Sequence, residues 1–107
     1  MTKIFDLNKL ADFKKNISKS IGETKKDLLK TTSFNVVLIC LEAGQEIPPH
    51  PEQYAVCFYV IAGRGAFTVG DKQFELAIGE MIFAQANEVR GIQSKEKLTL
   101  LGIQDAH

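Results

Sequence analysis

Few residues in this chain are equipped for chemistry. There are two histidines, His50 and His107, and two cysteines, Cys40 and Cys57. His50 stands in "PPHPEQYAV", between prolines and just before an apolar run. An imidazole held in so stiff a segment can be the first ligand of a metal site, or a loop residue with no chemistry. His107 closes the sequence and is expected to fray. With so few histidines no Ser-His-Asp triad can be assembled. A Cys57–His50 dyad has suitable residue types, but nothing in the spacing sets both side chains on one face. The cysteines lie inside apolar runs at a separation that matches no zinc or redox motif, so both read as small buried residues. "GRG" at 63–65 lacks the lysine and following helix of a phosphate loop and reads as a hairpin bend.

Any such residues need a scaffold, and 107 residues suffice for one domain with one core. The composition, 45% hydrophobic and 24% charged, is that of an ordinary globular protein. The longest apolar runs, Val36–Leu41 and Ala55–Ala62, are strand-length and too short to span a membrane. No charged leader precedes an apolar segment, which makes a cytoplasmic location the expectation and a structural disulfide unexpected. The net charge is zero, but eight lysines against four acids fall within residues 1–30. These lysines are interleaved with apolar residues and come without stacking aromatics, so they read as a solvated face and not as a nucleic-acid surface.

Leu7, Leu10, Phe13, Ile17 and Ile21 recur at helical spacing, which predicts a short helix around residues 8–14, capped by Asp6 or Asn8. From residue 27 the pattern changes to short β-rich runs. Strands are expected at 27–31, 34–42, 54–61, 65–69, 73–76, 81–84, 89–93 and 98–104, with "AGQEIPPHP" as a loop. Gly70-Asp71 is placed for a tight hairpin turn. Many strands without intervening helices predict an all-β sandwich or barrel with a short N-terminal helix. Residues 1–25 form an arm of the same domain and 26–107 the barrel. "VVLICL" and "AVCFYVIA" are apolar on both faces, which suits a barrel lining on one side and a second layer or partner subunit on the other.

The order of these pieces resembles the cupins, small jelly-roll β-barrels. Their first motif runs G-x5-H-x-H-x3,4-E-x6-G, and here Gly44 precedes His50 by the same interval while Gly63 closes the stretch. Their second runs G-x5-P-x-G-x2-H-x3-N, and "GEMIFAQANEVRGIQS", from Gly79 to Ser94, has that framework. The likeness covers residues 34–104 and implies a cupin-like jelly-roll β-barrel. In metal-binding cupins three histidines and a glutamate converge on a divalent cation. Carried over position by position, the first histidine is His50, the second falls on Glu52, the glutamate on Val56 and the last histidine on Arg90. Gln85, Asn87 and Ser94 take the places of the proline, glycine and asparagine.

That donor set argues against the usual metal. His50 and Glu52 are at most two ligands, where stable sites present three or four, and a guanidinium repels a cation. No cofactor is expected; a divalent metal, if present, would rest on His50 and Glu52. Arg90 instead supplies positive charge, either paired with Glu52 in a closed pocket or available with His50 for a ligand's carboxylate or phosphate. Tyr54, Phe58 and Tyr59 are candidates for the apolar wall. The favoured expectation is a non-enzymatic binding or regulatory protein for a small anionic or sugar-like molecule, working as a homodimer, without nucleic acid or membrane. The alternatives are a cupin enzyme of isomerase, decarboxylase or dioxygenase type with an atypical or absent metal, and a structural barrel with a filled pocket.

Overall fold

The computed structural model describes residues 2–10 and 25–107. The first element is a single helical turn, α1 (Leu7–Leu10). Asp6 caps it: its Oδ1 accepts from Lys9 N–H at 3.2 Å and its carbonyl accepts from Leu10 N–H at 3.0 Å. Residues 11–14 of the expected helix lie outside the described residues. The rest is β-structure: β1 (Lys25–Lys30), β2 (Phe34–Leu41), β3 (Glu46–Pro51), β4 (Val56–Ala62), β5 (Arg64–Val69), β6 (Lys72–Ala77), β7 (Met81–Ala84), β8 (Val89–Ser94) and β9 (Leu98–Asp105). They pair antiparallel into a five-stranded sheet, β1-β2-β9-β4-β7, and a four-stranded sheet, β3-β8-β5-β6.

Alternation along the strands builds the core between the sheets. Val37, Ile39 and Leu41 of β2, Val56, Phe58 and Val60 of β4, and Leu98 and Leu100 of β9 point inward. They meet Ile47, Phe67 and Ile92 of the four-stranded sheet. Phe67, Leu98 and Leu100 are fully buried, and each such side chain contributes roughly 1.5–3 kcal/mol by leaving water. Leu38 and Cys40, on the alternate face of β2, are fully buried as well, so this strand is covered on both sides. Phe5 and Leu7 share an apolar groove with Leu28, Leu29, Val36 and Leu101 on the outside of the five-stranded sheet. Among the described residues no helix is long and apolar enough to cross a membrane.

The hairpin at Gly70-Asp71 forms as expected, closing the Val69–Lys72 pair with Gly70 at φ 66°. The segment expected to be a loop does not stay one. Residues 46–51 form β3 despite prolines at 48, 49 and 51. Proline lacks an N–H to donate, and β3 is the edge of its sheet, where a missing donor breaks no inner ladder. The ladder to β8 also shifts between Ile47 and His50, and Pro48 and Pro49 occupy that irregularity. Gly91 is what lets the two strands meet there: a Cβ on it would lie 2.8 Å from Pro49 N and 2.9 Å from Pro49 Cα.

Candidate functional site

The irregularity in β3 decides where His50 faces. Ile47 is buried and pairs with Ile92; His50 pairs with Arg90, two residues back along β8. Three steps on β3 match two on β8, so the extra residue returns His50 to the inward face it would otherwise leave. His50 and Arg90 are therefore direct cross-strand neighbours on one face. Arg90 is only 3% exposed, which excludes a place on the outside of the barrel.

The surroundings of Arg90 are unusual for a buried cation. Its Nε donates to the Glu88 carbonyl at 2.8 Å and its Nη2 to the Gln85 carbonyl at 2.8 Å. Its Nη1 is buried and has no hydrogen-bond partner among the described residues. Of the two arrangements the sequence left open, the Glu52–Arg90 pair does not form. The Glu52 Oε2 lies 3.7 Å from His50 Nε2 and accepts from the Tyr54 hydroxyl at 3.3 Å. Among the described residues no acid stands within salt-bridge distance of Arg90. Its guanidinium carbon sits 5.4 Å from the centre of the Tyr54 ring, within reach of a cation–π interaction.

The loop before β8 is shaped for this arrangement. Asn87 holds φ 69°, the left-handed region in which the second cupin motif uses glycine and which asparagine tolerates best among other residues. Its N–H donates to the Glu52 carbonyl at 2.7 Å, tying this loop to the end of β3. Gln85, in the place of the motif's proline, supplies one of the two carbonyls that hold Arg90. Ser94, in the place of the motif's asparagine, donates to the Glu96 carbonyl.

Two spaces adjoin these residues. Inside the barrel a cavity of ≈ 20 Å³ is bounded by Lys25, His50, Tyr54, Phe58, Arg90 and Gln104, with Gly91 and isoleucine and valine side chains completing it. Outside, at the barrel mouth, an open cleft of ≈ 560 Å³ is lined by Glu52, Gln53, Tyr54, Asn87 and His107. The inner volume is room for about one water or one ligand oxygen. Tyr54 borders both spaces. Burial pushes the Tyr54 phenol up from its ordinary pKa, the Glu52 carboxylate adds to this, and Arg90 opposes it.

The sequence-derived candidates thus divide. His50, Tyr54, Phe58 and Arg90 come together at the inner cavity, whereas Glu52 belongs to the mouth. Tyr59 leaves the set: it pairs with Met81 and is exposed on the outer face of β4, opposite in direction to Phe58. Two residues join it. Gln104, 7% exposed, lines the cavity from β9. His107, expected to fray, stacks parallel on Tyr54 with centroids 3.8 Å apart, and its Nε2–H donates to Gln104 Oε1 at 3.0 Å. Strand alternation could have suggested Gln104, but no local signal marks His107.

These donors do not fit a divalent cation. His50 donates its Nδ1–H to the Pro48 carbonyl at 2.8 Å, which leaves Nε2 toward Glu52 as a potential donor pair. Val56 offers no ligand atom, and Arg90 brings positive charge to the remaining position. Among the described residues no group of three His, Cys, Asp or Glu side chains converges on one point.

Comparison with known structures agrees with the architecture. An uncharacterized conserved protein with a double-stranded β-helix domain from Klebsiella pneumoniae is similar with a TM-score of 0.80 and 22% identity, covering 98% of this chain and 90% of that one. BH2720 from Bacillus halodurans is similar with a TM-score of 0.82 and 15% identity, over 100% of this chain and 83% of that one. KdgF from Halomonas sp. is similar with a TM-score of 0.74 and 16% identity, over 78% and 77%. At these identities the likeness concerns the fold alone. No curated protein matches the sequence. The cupin domain model matches residues 37–103, from β2 through β9, and the chain belongs to the cupin family.

Proposed function

We propose that this cupin is a non-enzymatic binding or regulatory protein that takes a small anionic molecule at the mouth of its barrel, without a resident metal. One observation carries the reading. Among the described residues Arg90 is a buried cation with no acid beside it and one N–H group lacking an acceptor. Leaving such a donor unpaired costs about 1–3 kcal/mol or more, and a ligand oxygen seated against it removes that penalty. The cleft outside Tyr54 has the volume of a small-molecule site and holds the rest of the ligand.

Titration calorimetry with acetate, phosphate and glucose tests the reading. Saturable binding of an anion that disappears in Arg90→Met is expected; glucose covers the sugar-like alternative. Anion binding that survives in Arg90→Met, or no binding of any probe, would refute the proposal. The second reading, a structural barrel with a filled interior, is favoured by the small inner cavity and would gain from the latter result. Elemental analysis of untagged protein addresses the enzyme alternative. Stoichiometric metal that is lost in His50→Ala would replace the metal-free reading.

The proposal includes a homodimer. Tyr59, Met81, Phe83 and Ile103 form exposed apolar ground on the outside of the paired strands β7, β4 and β9, and a second copy would remove it from water. Light scattering at low concentration should give twice the chain mass; the mass of one chain would rule the dimer out.

A further inference from the structure

The mouth carries information about the kind of anion. Tyr54 already bears a planar ring: the His107 imidazole lies over it at 3.8 Å, with an interplanar angle of 2°. That ring is also satisfied at its edge, because its Nε2–H is accepted by Gln104 Oε1, and Gln104 in turn borders the inner cavity. His107 is itself exposed, so it can leave without opening the core. The Arg90 guanidinium carbon lies over the same Tyr54 ring, 5.4 Å from its centre, and among the described residues its Nη1 has no partner.

We infer that the ligand is an aromatic or heteroaromatic monocarboxylate, whose ring replaces the His107 imidazole on Tyr54 while its carboxylate reaches Arg90. This rests on the anion-binding reading above. Three features narrow the class. The inner cavity of ≈ 20 Å³, bordered by Lys25 as well as Arg90, has room for about one oxygen. The Glu52 carboxylate lines the cleft and disfavours a second negative charge on the ligand. The face of Tyr54 rewards a flat π-system, which aliphatic acids do not offer. His107 then acts as an internal competitor that fills the ring position until a ligand displaces it.

The test follows benzoate and acetate by NMR titration of the 15N-labelled protein, in wild type, His107→Ala and Arg90→Met. Removing the competing ring should tighten benzoate binding about 3- to 10-fold, the worth of one aromatic stack, and leave acetate unchanged. Arg90→Met should abolish the response to both, and Arg90→Lys, which keeps the charge but not the planar fork, should weaken it. If His107→Ala shifts both acids equally or neither, the ring replacement is wrong, while acetate binding that depends on Arg90 still upholds the proposed function. Benzoate binding retained in Arg90→Met overturns this inference, because the carboxylate is then elsewhere. Absence of binding by either acid in folded wild type and His107→Ala overturns both.

Discussion

Arg64 and Arg90 each sit next to a glycine that lets two strands touch, yet their charges are handled in opposite ways. At the bend between β4 and β5, which is no hairpin because the two strands belong to different sheets, Gly63 adopts φ 78°, and a Cβ there would lie 1.9 Å from the Lys97 carbonyl oxygen. Beside it Arg64 is half exposed and pairs with Glu96 at 3.1 Å. Such surface pairs contribute roughly 0–1 kcal/mol, because water screens them and ordering two long side chains opposes them. At the mouth Gly91 permits the approach of β3, and Arg90 is buried on two carbonyls with no carboxylate. Tight backbone packing is common to both regions, so it explains the architecture but not the buried charge. Of the two regions only the mouth holds a cation without an acid among the described residues, and this is why a ligand is sought there and not at the bend.

The largest effects should come from the feature the two regions share. Gly63→Ala combines a positive φ with a clash against backbone, and should lower unfolding free energy in urea by about 3 kcal/mol or more. Gly91→Ala meets only an edge strand that can shift, so a loss of about 1–3 kcal/mol is expected. It should also weaken anion binding, since His50 and Arg90 are neighbours across the same ladder. A loss below about 1 kcal/mol for Gly63→Ala would show that the bend relaxes more freely than its geometry implies.

Next come the arginines themselves. Arg64→Ala should change stability by less than about 1 kcal/mol and leave anion binding intact. Arg90→Met should keep stability within about 1 kcal/mol or raise it, because it removes a buried charge while retaining much of the volume, and it should abolish binding. Equal behaviour of the two variants in both measurements would erase the contrast between the regions.

The smallest effect concerns Tyr54, whose phenol is held above its ordinary pKa by burial and by Glu52. A raised pKa means that the fold favours the neutral phenol. Its contribution is complete below the unfolded value of about 10 and is lost as pH climbs through the folded one. Melting curves of wild type and Tyr54→Phe should therefore diverge as pH passes about 10, with the wild type losing more. Parallel curves would show that Tyr54 is no better shielded than an ordinary surface tyrosine.

Much of the barrel was legible because strand signals are local. Alternation in "VVLICL" and "AVCFYVIA", the Gly70-Asp71 turn and the glycines at 44, 63 and 79 all act over a few residues. Even the departure at Asn87 was readable as a glycine substitute, since few other residues sustain φ 69°. The first motif was less legible. Three prolines in six residues read as a loop, and nothing local reveals that the segment lies at a sheet edge, where proline is tolerated. At the candidate site His50 and Arg90 stand as cross-strand neighbours, while what surrounds them was not legible in the sequence. Glu52 faces Tyr54 and His50 instead of Arg90, Tyr59 points outward, and His107 stacks where fraying was expected.

The sequence by itself determined an all-β chain and the succession of its strands apart from β3. Those properties follow from period, turn chemistry and residue type, each of which acts along the chain. Tertiary structure alone decided that Arg90 is buried with no acid beside it among the described residues, because register sets it opposite His50 of β3 and the fold brings Tyr54 against it. It also decided that His50 faces inward, through one extra residue in β3 that reverses the alternation. Spacing along a strand sets which side chains share its face, but register and bulges between strands set what they meet.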